Sequence, residues 1–294
     1  MNLVENINQL SQVFNKYDIS SIDFREKLTI VLPTTGDIDS MFADFLSNVE
    51  LSKQHKYVGK VVIDGINIFN DLQLYNILLD STHLANKIIN ESELEILSNN
   101  TNVWKIFIYN NMMWDLPFTL EDVIFLPVRM LDNARTDNSI YSLVKTLIHE
   151  KIHVLQRTNV NAWVDYVYAR NRNWIKVNTN TPLFNFLDSY DVDKLMNRMR
   201  VFNPDVTYLN FKYVYKVGNN LYYGVLYATE ERILKVQWFL ITEYKKDDYD
   251  KENITFTLEP YEKNIMSQEH PFEEYAYLIS DKLTDVSKLE KKQM

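Results

Sequence analysis

Between residues 140 and 155 apolar side chains recur at Ile140, Leu143, Val144, Leu147, Ile148, Ile152 and Leu155. That three-and-four spacing lays one apolar stripe along a helix, and it predicts a helix over residues 138–157, with Asp137 or Asn138 as its cap. The helical pattern extends into NAWVDYVYARNRNW, residues 161–174. Helical periodicity also marks residues 3–17, 37–54 and 71–100, and the last helix is expected from HPFEEYAYLIS onward, with Pro271 in its first turn, where proline is tolerated.

Short β-rich apolar runs alternate with these helices. Strands are expected in KLTIVLP (27–33), in KVVIDGINI (60–68, broken by Gly65), in WKIFIYN (104–110) and in DVIFLP (122–127), the last preceded by a bend at Pro117 and TLED. Residues 211–228 form two aromatic-rich runs around Gly218, Asn219 and Asn220, a hairpin signature, and ILKVQWFLITEY offers a third strand. NTNTP, FNPD and KKDDYDKEN read as turns and loops. The expected class is α+β. Residues 1–160 would carry a small mixed sheet and the central helix, and residues 161–294 an antiparallel hairpin or meander and the last helix.

A chain of 294 residues, 46% hydrophobic and 24% charged, is long enough for one large domain or two lobes and ordinary in its balance. No apolar run approaches the roughly 18 residues of a bilayer span, so no membrane partner is expected. The opening MNLVENINQLSQVF lacks a basic segment followed by an apolar one, which makes an intracellular setting the default. A net charge of -9 argues against nucleic acid as partner. With no cysteine, disulfides and thiolate metal sites are excluded, so a metal would be held by nitrogen and oxygen alone.

The central helix carries two of the five histidines, in HEKIH. His149 and His153 at i and i+4 share a helix face, and two imidazole nitrogens there can bind one zinc. Glu150 between them is placed to take a proton from a water whose pKa such an ion lowers. This is the HExxH arrangement. A catalytic zinc wants a third protein ligand, and His55 and His83, in polar surroundings, read as surface residues.

Together, HEKIH and HPFEEYA resemble the gluzincins, zincin metallopeptidases with a glutamate ligand on a later helix. Their pattern is similar to NPxExxA, with His270 standing here for the asparagine. The resemblance implies a zincin-like catalytic core, Zn2+ as cofactor, a peptide or protein substrate, Glu150 as base, and His149, His153 and Glu273 as ligands. Glu274 is the alternative third ligand. Ala276, three past Glu273, would let the two helices approach closely.

His153 and Glu273 are 120 positions apart, which makes room for the hairpin region. Four residues past Glu273, where the family often has an acid supporting a zinc-bound histidine, stands Tyr277; Asp281 is a candidate for that support. The strand in PFTLEDVIFLP would either pair with an extended substrate, as an edge strand near the active-site helix does in zincins, or be a plain core strand. Tyr222, Tyr223, Tyr275 and Tyr277 are candidate oxyanion donors, although most aromatics here are expected to be packing. Asp205, in a turn, is a lesser candidate. The competing readings are an inactive zincin-fold protein that binds zinc or a partner, and a metal-free structural or virion protein.

Overall fold

The structure is a computed structural model that describes residues 29–31, 64–65, 71–110, 116–136, 140–189, 203–207, 209–228, 234–245 and 254–284. The helices expected over 3–17 and 37–54, the loop 246–253, His55, Asp137 and Asn138 lie outside these residues. The fold is mixed α+β, with a small mixed sheet and a separate antiparallel sheet. Contacts divide it into two compact units: residues 1–43, 60–160 and 276–294 in one, 44–59 and 161–275 in the other.

The first unit holds the mixed sheet, whose strands run in the order β1 (Thr29–Val31), β3 (Val103–Asn110), β5 (Val123–Pro127), β4 (Phe118–Leu120), with β2 (Asp64–Gly65) also on β3. β1, β3 and β5 are parallel. β4 is antiparallel to β5 and forms the edge. β3 and β5 are buried over most of their length, as near-continuous apolar runs in a parallel sheet require. The bend expected at TLED is a tight hairpin between β4 and β5, with Glu121 at φ 50°.

Three α-helices lie wholly within the described part of this unit, and most of the chain's last helix also belongs to it. α1 (Leu72–Asn90) starts at Asp71, whose Oδ1 accepts from the N–H groups of Gln73 and Leu74, both at 3.1 Å. The helical reading over 71–100 is too long: α1 stops at Asn90, and only a 3-10 turn (Glu95–Leu97) follows. An amide network fixes this stop. Asn86 and Asn90 both donate to Asn102 Oδ1 at 3.0 Å, and Trp104 Nε1 donates to Asn86 Oδ1 at 3.0 Å. α2 (Val128–Thr136) follows β5 directly. α3 (Tyr141–Thr158) starts three residues later than its periodicity predicts, and Ile140 at its N-cap position makes no side-chain capping bond. Every residue of α3 from Leu147 to Gln156 is buried, so this is a core helix rather than an amphipathic surface one.

Half-buried Asp80, on α1, yields a test of stability. Burial pushes its carboxyl up to about 6 from the usual 3.8. The folded state then holds a proton the unfolded chain releases, so stability falls as pH rises from about 4 to about 6. Asp80→Asn is expected to match the unaltered chain below that window. Above it the variant should be more stable, by on the order of 1 kcal/mol after discounting for solvent exposure. Thermal melts at pH 4 and pH 7.5 check this.

In the second unit α4 (Val160–Arg170) ends earlier than the helical continuation to residue 174 predicts, and β6 (Trp174–Asn178) begins there. After β6 comes α5 (Pro182–Ser189), and an antiparallel meander runs in the order β6, β7 (Phe211–Val217), β8 (Asn220–Ala228), β9 (Leu234–Lys245), β10 (Ile254–Tyr261). The expected hairpin is β7–β8, turning at Gly218 with φ 60°, and the expected third strand is β9.

Strand alternation gives the meander two apolar faces. On one, Val177, Val214, Tyr223, Val225, Phe239 and Ile241 pack with Leu187 of α5. The other face is aromatic. Trp174 lies edge-on to Tyr213 and Tyr215, and Trp238 lies beside both Trp174 and Tyr215. Gly224 on this face lets the chain at residue 269 come close: a Cβ there would sit 3.1 Å from Glu269 Cα.

The last helix, α6 (Pro271–Thr284), is continuous across the division between units, which falls after Tyr275. Its first turn packs in the second unit through Phe272 on Trp163 and Tyr275 on Tyr166. Its remainder lies in the first unit. There the Tyr141 hydroxyl donates to Thr284 O at 3.0 Å, and Lys145 pairs with Asp281.

Candidate metal centre

His149 and His153 stand one turn apart on α3, 9% and 0% exposed. Their Nε2 atoms are 3.1 Å apart. Two nitrogens bound at about 2.0–2.1 Å to one zinc at a tetrahedral angle are about 3.3 Å apart, so the pair already has the spacing of a shared ligand edge. His153 Nδ1 lies 2.7 Å from Gln156 Oε1. The amide oxygen only accepts, so Nδ1 carries the proton and Nε2 keeps its lone pair turned toward His149. This support for the ring comes from one turn further along the same helix. Asp281, the residue expected in that role, pairs with Lys145 instead.

Glu273, in the first turn of α6, completes the group. It is 5% exposed, and its carboxylate and the two imidazoles offer ligand atoms all within 4.8 Å of one another. The donor set is two neutral imidazoles and a carboxylate, with no sulfur, and it suits a divalent ion of the zinc type. Glu274 points its chemistry elsewhere: its Oε2 accepts from Trp174 Nε1 at 2.5 Å. Burial raises the Glu274 pKa and the Trp174 bond opposes this.

His270, in the place of the pattern's asparagine, does an asparagine's work as a cap. Its Nδ1 accepts from the Phe272 N–H at 3.1 Å, and its ring lies edge-on to Tyr213. Ala276 is fully buried. Tyr277, 45% exposed, lays its ring 4.3 Å from that of His149.

Glu150 is 2% exposed, one position past His149. Lys151 is also buried: its Nζ donates to Val103 O at 2.7 Å and sits 5.0 Å from the Trp104 ring. Burial pushes its ammonium down to about 8, while the Asp122 charge acts the other way. Lys151 thus ties the middle of α3 to the start of β3.

Asn203, which reads in the sequence only as a turn residue, is part of the site's support. Its Nδ2 donates to Glu273 Oε1 at 2.7 Å and to Glu269 Oε1 at 3.0 Å. Burial, then the neighbouring Glu273 charge, pushes Glu269 up to about 7, against the pull of the Asn203 bond. Asp205, buried, gives its backbone N–H to Asn203 Oδ1 at 3.0 Å.

Other sequence candidates lie elsewhere. His83 is half-buried on α1. Tyr222 lies tilted against Tyr261, Tyr223 belongs to the aliphatic core of the meander, and Tyr275 packs on Tyr166, so these three are packing residues. β4 is the edge strand expected in PFTLEDVIFLP, but its three residues are buried and Arg157 Nη2, on α3, donates to Thr119 O at 2.8 Å. That carbonyl is not open to a peptide.

Among the described residues no helix is long and apolar enough to cross a membrane. No protein-family model, no curated protein and no solved structure matches this chain.

Proposed function

We propose that the chain is a zinc metallopeptidase of gluzincin type, with a zincin-like core formed by the mixed sheet, α3 and α6. One observation carries the reading. His149 and His153, four apart on a buried helix, share a 4.8 Å cluster with Glu273, which stands 120 positions beyond His153. Buried histidines on a core helix are common; their convergence with a distant buried carboxylate is not explained by packing.

The three side chains would hold the ion. When bound, it would polarise the scissile carbonyl and lower the pKa of a water beside it. Glu150 takes a proton from the attacking water as the new C–O bond forms. It returns that proton to the leaving nitrogen as the C–N bond breaks. Gln156 keeps His153 in the tautomer a ligand needs, and Tyr277 holds the plane of the His149 ring.

The substrate is a peptide or protein. The zinc-loaded protein is expected to cleave members of a broad peptide library, to lose this activity with a chelator and to regain it with added zinc. Stoichiometric zinc without cleavage of any peptide would point to an inactive zincin-fold protein instead.

A further inference from the structure

Asn203 uses all three of its polar functions. One N–H goes to Glu273 Oε1 at 2.7 Å and the other to Glu269 Oε1 at 3.0 Å, while Oδ1 accepts from the Asp205 N–H at 3.0 Å. The last bond fixes the amide's orientation. Turned over, the amide would present its oxygen to two carboxylates and its NH2 to a backbone donor, losing three hydrogen bonds at once. The side chain is therefore locked by its own helical turn (Pro204–Thr207), with its donors facing Glu273 on α6 and Glu269, two residues before that helix.

We propose that Asn203 is the positioning residue for the third metal ligand: it holds the Glu273 carboxylate in one orientation, so that its remaining lone pairs are presented to the ion. The inference rests on the metal-site reading above. It adds a residue 70 positions from Glu273 in sequence. Gln156 does the corresponding work for His153 from within α3, so two of the three ligands have an amide side chain as their support. Glu269 completes the clamp. Its backbone is seated against Gly224, and it takes the amide's second N–H, which stops the NH2 from rotating away from Glu273.

Two substitutions separate positioning from folding. Asn203→Ser keeps an oxygen able to cap the Asp205 N–H but cannot reach both glutamates. Asn203→Ala loses the cap as well. Zinc affinity is measured by competition against a chromophoric chelator, and ligand geometry by the visible absorption of the cobalt-loaded protein. Both variants are expected to bind zinc about 10–100-fold more weakly than the unaltered chain. Both should give an altered cobalt spectrum, and in the presence of chelator only the alanine variant should show a lowered Tm. An Asn203→Ser variant with unaltered affinity and spectrum beside a weakened Asn203→Ala variant would make Asn203 a turn residue only and overturn the inference. Unaltered affinity in both variants would overturn it too, with the metal site itself standing. If the unaltered chain binds neither zinc nor cobalt, the site reading fails and takes this inference with it.

Discussion

Glu150→Gln is expected to bind zinc as tightly as the unaltered chain and to hydrolyse peptides about 10²–10⁴-fold more slowly. Glutamine keeps the volume and one acceptor oxygen of a residue 2% exposed on a core helix, so the packing of α3 survives. What it removes is the group that takes up the water's proton in the proposed mechanism, and neither neighbour on the helix replaces it. In the proposed site His149 serves as a ligand. Lys151 is turned to Val103 O on β3. Steady-state kinetics beside a zinc titration separate the two effects. An active Glu150→Gln variant would place the base elsewhere and contradict the mechanism.

The second large effect is on stability. Zinc that binds the folded chain and not the unfolded one stabilises by linkage, about 4 kcal/mol when free zinc is 1,000-fold above Kd. For a chain of this size, with an unfolding entropy of about 2.1 cal/mol/K per residue, that amounts to about 6–7 °C in Tm. A chelator is therefore expected to lower the Tm of the unaltered protein by that order. Glu273→Gln and His153→Ala should melt at temperatures that do not respond to zinc or chelator. His153→Ala also leaves a cavity and strands Gln156 Oε1, which His153 Nδ1 satisfies. Its metal-independent Tm should then lie below that of the chelated unaltered chain. Equal zinc dependence in all three proteins would mean that the stabilising ion sits at another site.

How much of this can be read from the sequence depends on how local each feature is. His149 and His153 lie on one helix, and the i, i+4 spacing alone puts their rings together. Gln156 lies on the same helix, but nothing in HVLQ marks it as a partner for His153; only the observed ring orientation does. Glu273 emerges by pairing HEKIH with HPFEEYA. The same pattern prefers it over Glu274, and the structure adds that Glu274 is engaged by the Trp174 indole, whose position follows from β6. Asn203 illustrates the limit. Its sequence setting, Asn-Pro-Asp, has a sufficient explanation as a turn, and it does form one; its second role depends on chain brought back from 70 positions away.

The fold divides in the same way. The β7–β8 hairpin is legible because its turn and its alternation are contiguous. β6 is hidden because Trp174 follows helical spacing, and the strand declares itself only by pairing with β7. β10 carries Pro260, which a central strand would not tolerate. It is acceptable because β10 is the terminal strand of the meander.

The central claim is that His149, His153 and Glu273 hold one metal ion, and elemental analysis of purified protein tests it most directly. About one zinc per chain is expected in the unaltered protein and in Glu150→Gln, and none retained in His153→Ala. The same zinc content in His153→Ala as in the unaltered chain would contradict it.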